Sequence, residues 1–517
     1  MQHVDLVEDD GTAHPGSAPA PGPSTAAGAA PHATPATDRR RRRRTVLLSV
    51  LTAVVVLAAA LVVHARADAR ERERLGSLAG QPFVVAPLDG PPRVSWTAGM
   101  DHLDRLAARV GAVLVSIRTA AYQRADVVAV DVTDGSERWR VEALASIETD
   151  APDDADVLPL SGTCVAHPVT PDAVACLATD AAGYQDGERW QRLPATVARL
   201  LVLDSRDGRV LADLTEALPR PLPENLTTVG DDLAVWSATD DVLRVRALTT
   251  EGGAVWERTL EAPATEGASA WVAPLDERTA AFLTPQAVHL VGLDGTDLRV
   301  EPLAPTERAL PTTTGQVVIV PSWSAYVLDD RGATPARDGV RVVTTDGVAD
   351  LAGELVTTTA DDSAPGLLLT VVDERRTLQA WDDDGTRSWT WHPDGIASWL
   401  ADSRTTTTVL DGRVHVAGPA LVVTLDARTG RELWRSRALG TGPVMTDGRL
   451  LLGIADPTTS DAAGPELVAL RRDDGTVAWR APLPADTEQL LVEGRLLLAV
   501  ESPVDGPPWW HVLASGG

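Results

Sequence analysis

The sequence predicts an all-β chain closed into a β-propeller of four-stranded antiparallel blades, preceded by a disordered tail and one transmembrane helix. Three observations predict it. A unit made of an alternating strand, a turn ending in Gly and a Trp four residues after that Gly recurs along residues 92–517. The turn glycines, Gly135, Gly208, Gly252, Gly295, Gly385, Gly430 and Gly475, are separated by 73, 44, 43, 90, 45 and 45 residues, so most steps lie near one period. Trp is over-used, with 15 against 3 Tyr and 2 Phe, as a repeated structural slot requires.

Composition sets the outer limits. The chain has 517 residues, longer than one ordinary domain unless that domain is a repeat or a large ring. Its charge of −27 disfavours binding to phosphate backbones, so no nucleic-acid partner is expected, and it favours partners with basic surfaces or divalent cations. All 46 basic residues are Arg, a bias typical of very GC-rich, actinobacterial-type genomes.

Taken in order, residues 1–44 read as a disordered cytoplasmic tail. The stretch up to 38 is rich in Ala, Pro, Gly and Thr, and Arg39 to Arg44 form an unbroken basic run. Residues 45–63 carry no charge and, at helical rise, are long enough to cross a bilayer as an uncleaved signal anchor; a cleaved signal peptide is the rival reading. The arginines would stay inside, which puts the propeller on the extracytoplasmic side of a single-pass membrane protein. Residues 64–91 read as a charged helical extension and linker, a plain spacer.

The propeller spans 92–517. Its clearest units run Val127 to Trp139, Val245 to Trp256, Leu378 to Trp389, Leu421 to Trp434 and Leu467 to Trp479. Asp and Gly suit the tight turn, and the following strand brings Trp against the neighbouring unit. Units at 200–208 and 288–295 lack the Trp. The 90-residue gap holds an eroded unit around 316–343, and the 73-residue gap reads as one blade with an insertion. Pro92 to Trp96 looks like the last strand of a unit, and Pro508 to Ala514 like a third strand without its successor. Together they would close the ring in one shared blade. Seven to nine blades fit the spacing. Eight are expected, with seven as the alternative. The docking tryptophans are Trp96, Trp139, Trp256, Trp389, Trp434 and Trp479.

The pattern apolar-x-Ala-Leu-Asp-x-x-x-Gly-x-x-x-Trp resembles the pyrroloquinoline-quinone-type (PQQ-like) propeller repeat. The resemblance implies either a quinoprotein dehydrogenase or a non-enzymatic scaffold. The enzymes use adjacent cysteines, a calcium held by Glu, Asn and Asp, and a catalytic Asp. Here Cys164 and Cys176 are apart and the one Asn is Asn225, so no residue takes those roles. The histidines show no metal-ligand spacing. No catalytic residue, metal or cofactor is therefore expected, pyrroloquinoline quinone included. The expected function is a non-catalytic extracytoplasmic interaction, sensing or scaffold module, with membrane lipid around 45–63 and an envelope protein as partners. A degenerate or PQQ-dependent quinoprotein-type enzyme, binding its ligand in the funnel, is the alternative. Cys164 and Cys176 are expected to form a disulfide that pins the insertion at 146–192.

Overall fold

The computed structural model describes residue 57, residues 61–66 and 68–78, and residues 80–515. Within the last stretch it leaves out 82, 100–106, 121–123, 147–156, 160–161, 187–188, 240, 263–269, 322–325, 330–331, 336–338, 357, 373–376, 394–405, 419–420, 441, 443, 456–463 and 503–507. Two units result, Met1–Glu73 and Arg74–Gly517. In the first, the described residues are helical. The tail at 1–44 and nearly all of 45–63 lie outside the described residues. The described helical turns carry Arg66, Asp68, Arg70, Glu71 and Arg72. Among the described residues no helix is long and apolar enough to cross a membrane. The expected single-pass placement, with a cytoplasmic N-terminus and an extracytoplasmic propeller, is therefore corrected.

Among its described residues the second unit is an all-β ring of nine blades, not eight or seven. Blades 1 to 4 begin with the strands Ala108–Val110, Gly162–Ala166, Asn225–Val229 and Trp271–Pro274. Blades 5 to 8 begin with Glu307–Pro311, Glu354–Leu355, Thr406–Leu410 and Met445–Thr446, and blade 9 with Thr487–Glu493. The miscount has a simple origin. Seven units are marked by a turn glycine. The eroded unit is a complete four-stranded blade, 5, and the closing blade is a ninth that no turn glycine marks. Blade 9 takes three strands from the C-terminus and its outermost strand, Pro92–Gly99, from the N-terminal side, paired in antiparallel register from Pro92↔Ser515 to Gly99↔Trp509.

Each blade buries its second and third strands on both faces, so these read as continuous Val, Leu and Ala runs, as in Ala173–Thr179. Fourth strands, such as Val210–Asp213, are largely exposed and form the rim. First strands of neighbouring blades approach one another and line the axis. Antiparallel order puts first–second and third–fourth turns on one face (the turn face) and all other connections on the opposite loop face. The insertion of blade 2 is a three-stranded sheet, Val157–Pro159, Ala182–Asp186 and Arg189–Leu193. Blade 5 adds the hairpin Tyr326–Asp329 and Gly332–Pro335. Both rise from the loop face.

Residues 74–91, expected as a spacer, are built into the ring. Leu78, Phe83, Val84 and Val85 are buried. Val84 bridges Thr446 in parallel, and the Val85 N–H donates to the Thr446 carbonyl at 2.8 Å. Blade 8 has a first strand of only two residues, and this strap supplies its missing inner edge.

Candidate functional site

The structure places the tryptophans and turn glycines together, but across blades. The indole of Trp96 covers Gly135, Trp139 covers Gly208, Trp256 covers Gly295, Trp389 covers Gly430 and Trp434 covers Gly475. In each pair the Trp lies on the fourth strand of one blade and the Gly in the third–fourth turn of the next. Each indole N–H also donates to a carbonyl of that turn: Val132 at 3.2 Å, Ser205, Leu293 and Ala427 at 2.8 Å, and Arg472 at 3.0 Å. The glycines have φ between 67° and 77° at these five positions, which an L side chain rarely adopts. Where the preceding blade lacks the Trp, smaller groups fill the slot: Gly252 faces Leu214, and Gly385 faces Ala349. Among the described residues Trp479 covers no glycine, and the third and fourth strands of blade 9, Trp509–Ser515 and Pro92–Gly99, are not consecutive in the chain. Trp479 packs instead against the apolar seam of blades 8 and 9.

Sequence reasoning found the Gly and the Trp of each unit and missed that they serve different neighbours. The signal was available, since the units lacking Trp still keep their Gly. The turns come in two lengths. Gly135, Gly208, Gly430 and Gly475 bond back four residues, whereas Gly252, Gly295 and Gly385 bond back three.

Cys164 and Cys176 form a disulfide with Cα atoms 4.1 Å apart. They face each other on the first two strands of blade 2. The bond therefore staples the inner strand pair and does not pin the 146–192 insertion.

The axis side is uneven. At blade 7, Thr358–Ala360 adds a fifth, parallel strand against Thr406–Leu410. The Thr358 and Thr407 hydroxyls lie 2.5 Å apart, those of Thr359 and Thr408 3.2 Å, and Thr408 donates onward to the Val444 carbonyl at 2.9 Å. Ala360 N–H donates to Thr313 Oγ1, from blade 5, at 3.1 Å. With residues 83–85 on blade 8, the chain's own segments fill the inner edges of two adjacent blades.

The other side of the axis differs. Trp271 begins the first strand of blade 4 on the loop face and is 49% exposed. It stands edge-on to the buried Trp236, ring centroids 5.7 Å apart. Glu224, whose N–H donates to the Trp236 carbonyl at 3.0 Å, is buried and pairs with Arg192 from the blade 2 insertion. Trp509, also half-exposed, opens the third strand of blade 9 on the same face.

Titratable groups elsewhere serve the blades. His415 is fully buried, bonds Thr424 Oγ1 through Nδ1 at 2.8 Å, and is pushed down to about 3 by burial, with Arg413 and Arg472 adding to the shift. Asp131 is held down at about 2, first by the Thr133 hydroxyl and then by Arg138. Among the described residues no group of three or more His, Cys, Asp or Glu is placed to hold a metal ion.

A family model described as outer membrane protein assembly factor BamB matches residues 418–506, and the repeat is PQQ-like. No curated protein matches the chain significantly. Among solved structures, BamB from Moraxella catarrhalis is 14% identical, covering 75% of this chain and 96% of its own with a TM-score of 0.34. A eukaryotic initiation factor is 11% identical over 78% of this chain and 91% of its own, TM-score 0.43. Apo AztD from Citrobacter koseri is 11% identical over 64% and 95%, TM-score 0.31.

Proposed function

We propose that the chain is a non-catalytic interaction propeller that holds a partner protein on its loop face, with Trp271 as an anchor. The observation that carries this reading is the half-exposed Trp271, set on a rigid inner strand and braced by Trp236. A tryptophan held in this way offers a large apolar contact at little entropic cost, the property of interface anchors. The two insertions rise on the same face, and the charge of −27 favours a partner with a basic surface. The match to an assembly-factor family over 418–506 supports an interaction role.

The test compares affinity purifications of the wild-type full chain and Trp271→Ala from native extracts, with mass spectrometry and absorbance of any bound chromophore. A protein retained by wild type and depleted several-fold by the variant, at unchanged melting temperature, supports the proposal. A bound quinone, or equal recovery by both proteins, overturns it.

A further inference from the structure

The fourth strand of each blade is a sheet edge, and an edge offers main-chain donors and acceptors to any strand that pairs with it. In blade 4 the register fixes which of these groups point outward. Its fourth strand is Asp297–Pro302, with Ala287↔Pro302, Val288↔Glu301, His289↔Val300 and Leu290↔Arg299 facing each other. Just beyond it, the Leu303 N–H donates to the Gln286 carbonyl at 2.7 Å. Opposed residues of an antiparallel ladder alternate between bonded and non-bonded pairs. Gln286 and Leu303 are a bonded pair, so Glu301 and Arg299 turn their main-chain groups inward to the third strand. Val300 turns its N–H and C=O outward, to the free edge.

Elsewhere this register position is guarded by polar side chains. Blades 1, 2, 3, 5, 7 and 8 place Arg140, Asp213, Glu257, Asp350, Arg435 and Arg480 there. Blades 6 and 9 place threonine. Charges on an edge oppose pairing with another chain. Blade 4 alone has an apolar residue at this position, and Val300 is 48% exposed. Leu298 and Pro302 are exposed on the same side of the strand, while Arg299 and Glu301 alternate with them and are half-buried. Exposed apolar residues one place before the Trp position, such as Val255 and Leu433, occur in several blades, so Val300 is what distinguishes this edge.

We infer that the outer edge of blade 4 pairs antiparallel with the same edge of a second copy of this chain, centred on Val300. A two-fold axis at that point sets Val300 against Val300, each N–H donating to the other copy's carbonyl. It sets Arg299 of each copy opposite Glu301 of the other, so the flanking pairs are complementary in charge. It sets Leu298 opposite Pro302 on the face that Val300 occupies, which covers the exposed apolar groups. The strand is therefore its own complement in charge and in apolar face. Two strands of six residues bury less than a standard interface, so a weak dimer that grows with concentration is expected. The edge lies on the rim, and the inference stands independently of the loop-face reading built on Trp271.

Sedimentation velocity on the full chain, from low micromolar concentration upward, tests this. Wild type should pass from monomer to dimer. Val300→Lys and Val300→Glu each set like charges opposite one another, and each should raise the dimer dissociation constant about tenfold or more at unchanged melting temperature. An equimolar mixture of the two variants should recover the dimer, because pairing centred on residue 300 sets Lys against Glu. Leu433→Lys, on the outer strand of blade 7, should dimerise as wild type does. A wild type that stays monomeric at every concentration, a dimer that survives Val300→Lys, or a mixture that does not recover each overturns the inference. A monomeric wild type that retains a different protein only while Val300 is intact also overturns it, and assigns the edge to that partner.

Discussion

The indole of Trp389 closes over Gly430 of the next blade so tightly that a Cβ on Gly430 would lie 2.6 Å from the ring. The two residues belong to different repeat units, and their contact joins one blade to the next. This single relationship recurs around the ring and supports several of the expectations below.

Gly430→Ala should be far more damaging than Gly412→Ala. Both positions have left-handed φ, 67° and 68°, but a Cβ at 412 meets nothing within 4 Å. The conformational cost, about 1–2 kcal/mol, is common to both. Displacement of Trp389 adds about 1–3 kcal/mol at 430 alone. Urea denaturation of the two variants separates the terms, and equal losses would show that the indole contact contributes nothing.

Trp389→Ala should cost about 3–5 kcal/mol, because it vacates a buried slot and leaves the Ala427 carbonyl without its donor. Trp479→Ala should cost less, since that indole is only partly buried and covers no turn glycine among the described residues. The difference between the two melting temperatures measures what a turn glycine adds to a docking Trp.

The strap should be part of the folding unit. Arg74 donates to Asp411 at 2.7 Å and to the Gly448 carbonyl at 2.7 Å, and Phe83 is buried at the inner edge of blade 8. Phe83→Ala is expected to lose about 3–5 kcal/mol. Hydrogen exchange should then quicken first in blades 8 and 9. Exchange that rises evenly around the ring would count against a local seal.

Acid should destabilise the ring through His415. Its folded pKa of about 3 lies below the ordinary value of 6.5, so the unfolded chain binds a proton that the folded chain refuses. The contribution is fully present above the unfolded pKa. It falls away as pH drops from about 6.5 towards 3, by up to about 1.4 kcal/mol per pH unit. Asp131 has the same sign in a lower window, from its ordinary 3.8 down to about 2. His415→Leu should flatten the wild-type stability profile between pH 6 and 4. An unchanged slope would assign the acid sensitivity elsewhere.

Reduction of Cys164–Cys176 should destabilise by about 3 kcal/mol in the chain-entropy account, because the bond closes a short loop in the unfolded chain. The effect should appear as faster exchange in the first two strands of blade 2. Protection of the insertion sheet should change little.

Much of the architecture was legible because each repeat unit encodes its own backbone. The alternation of Val127 to Asp131 and the Asp-Gly turn at 134–135 follow from local pattern, and the incomplete units at 92–96 and 508–514 pointed to the shared blade that Pro92–Gly99 and Trp509–Ser515 form. Blade 5 was harder to count because its outer strand, Val348–Leu351, places Ala349 where a docking Trp would stand. The strap was unreadable for a different reason. It follows directly on HARADARERE, which has the composition of a solvated helix, while the partners of Arg74, Asp411 and Gly448, lie 337 and 374 residues away. Trp271 carries no mark in the sequence that separates it from the docking tryptophans.

By itself the sequence determined the repeat and the strand-turn-strand chemistry within each unit, because these depend on propensities and turn geometry over about 45 residues. Only the tertiary structure decided that a docking Trp serves the glycine of the next blade, that residues 83–85 complete blade 8, and that Arg109 donates to the Gly494 carbonyl. Those outcomes depend on which surfaces the closed ring brings together, and side chains distant along the chain acquire their partners only when the ring is formed.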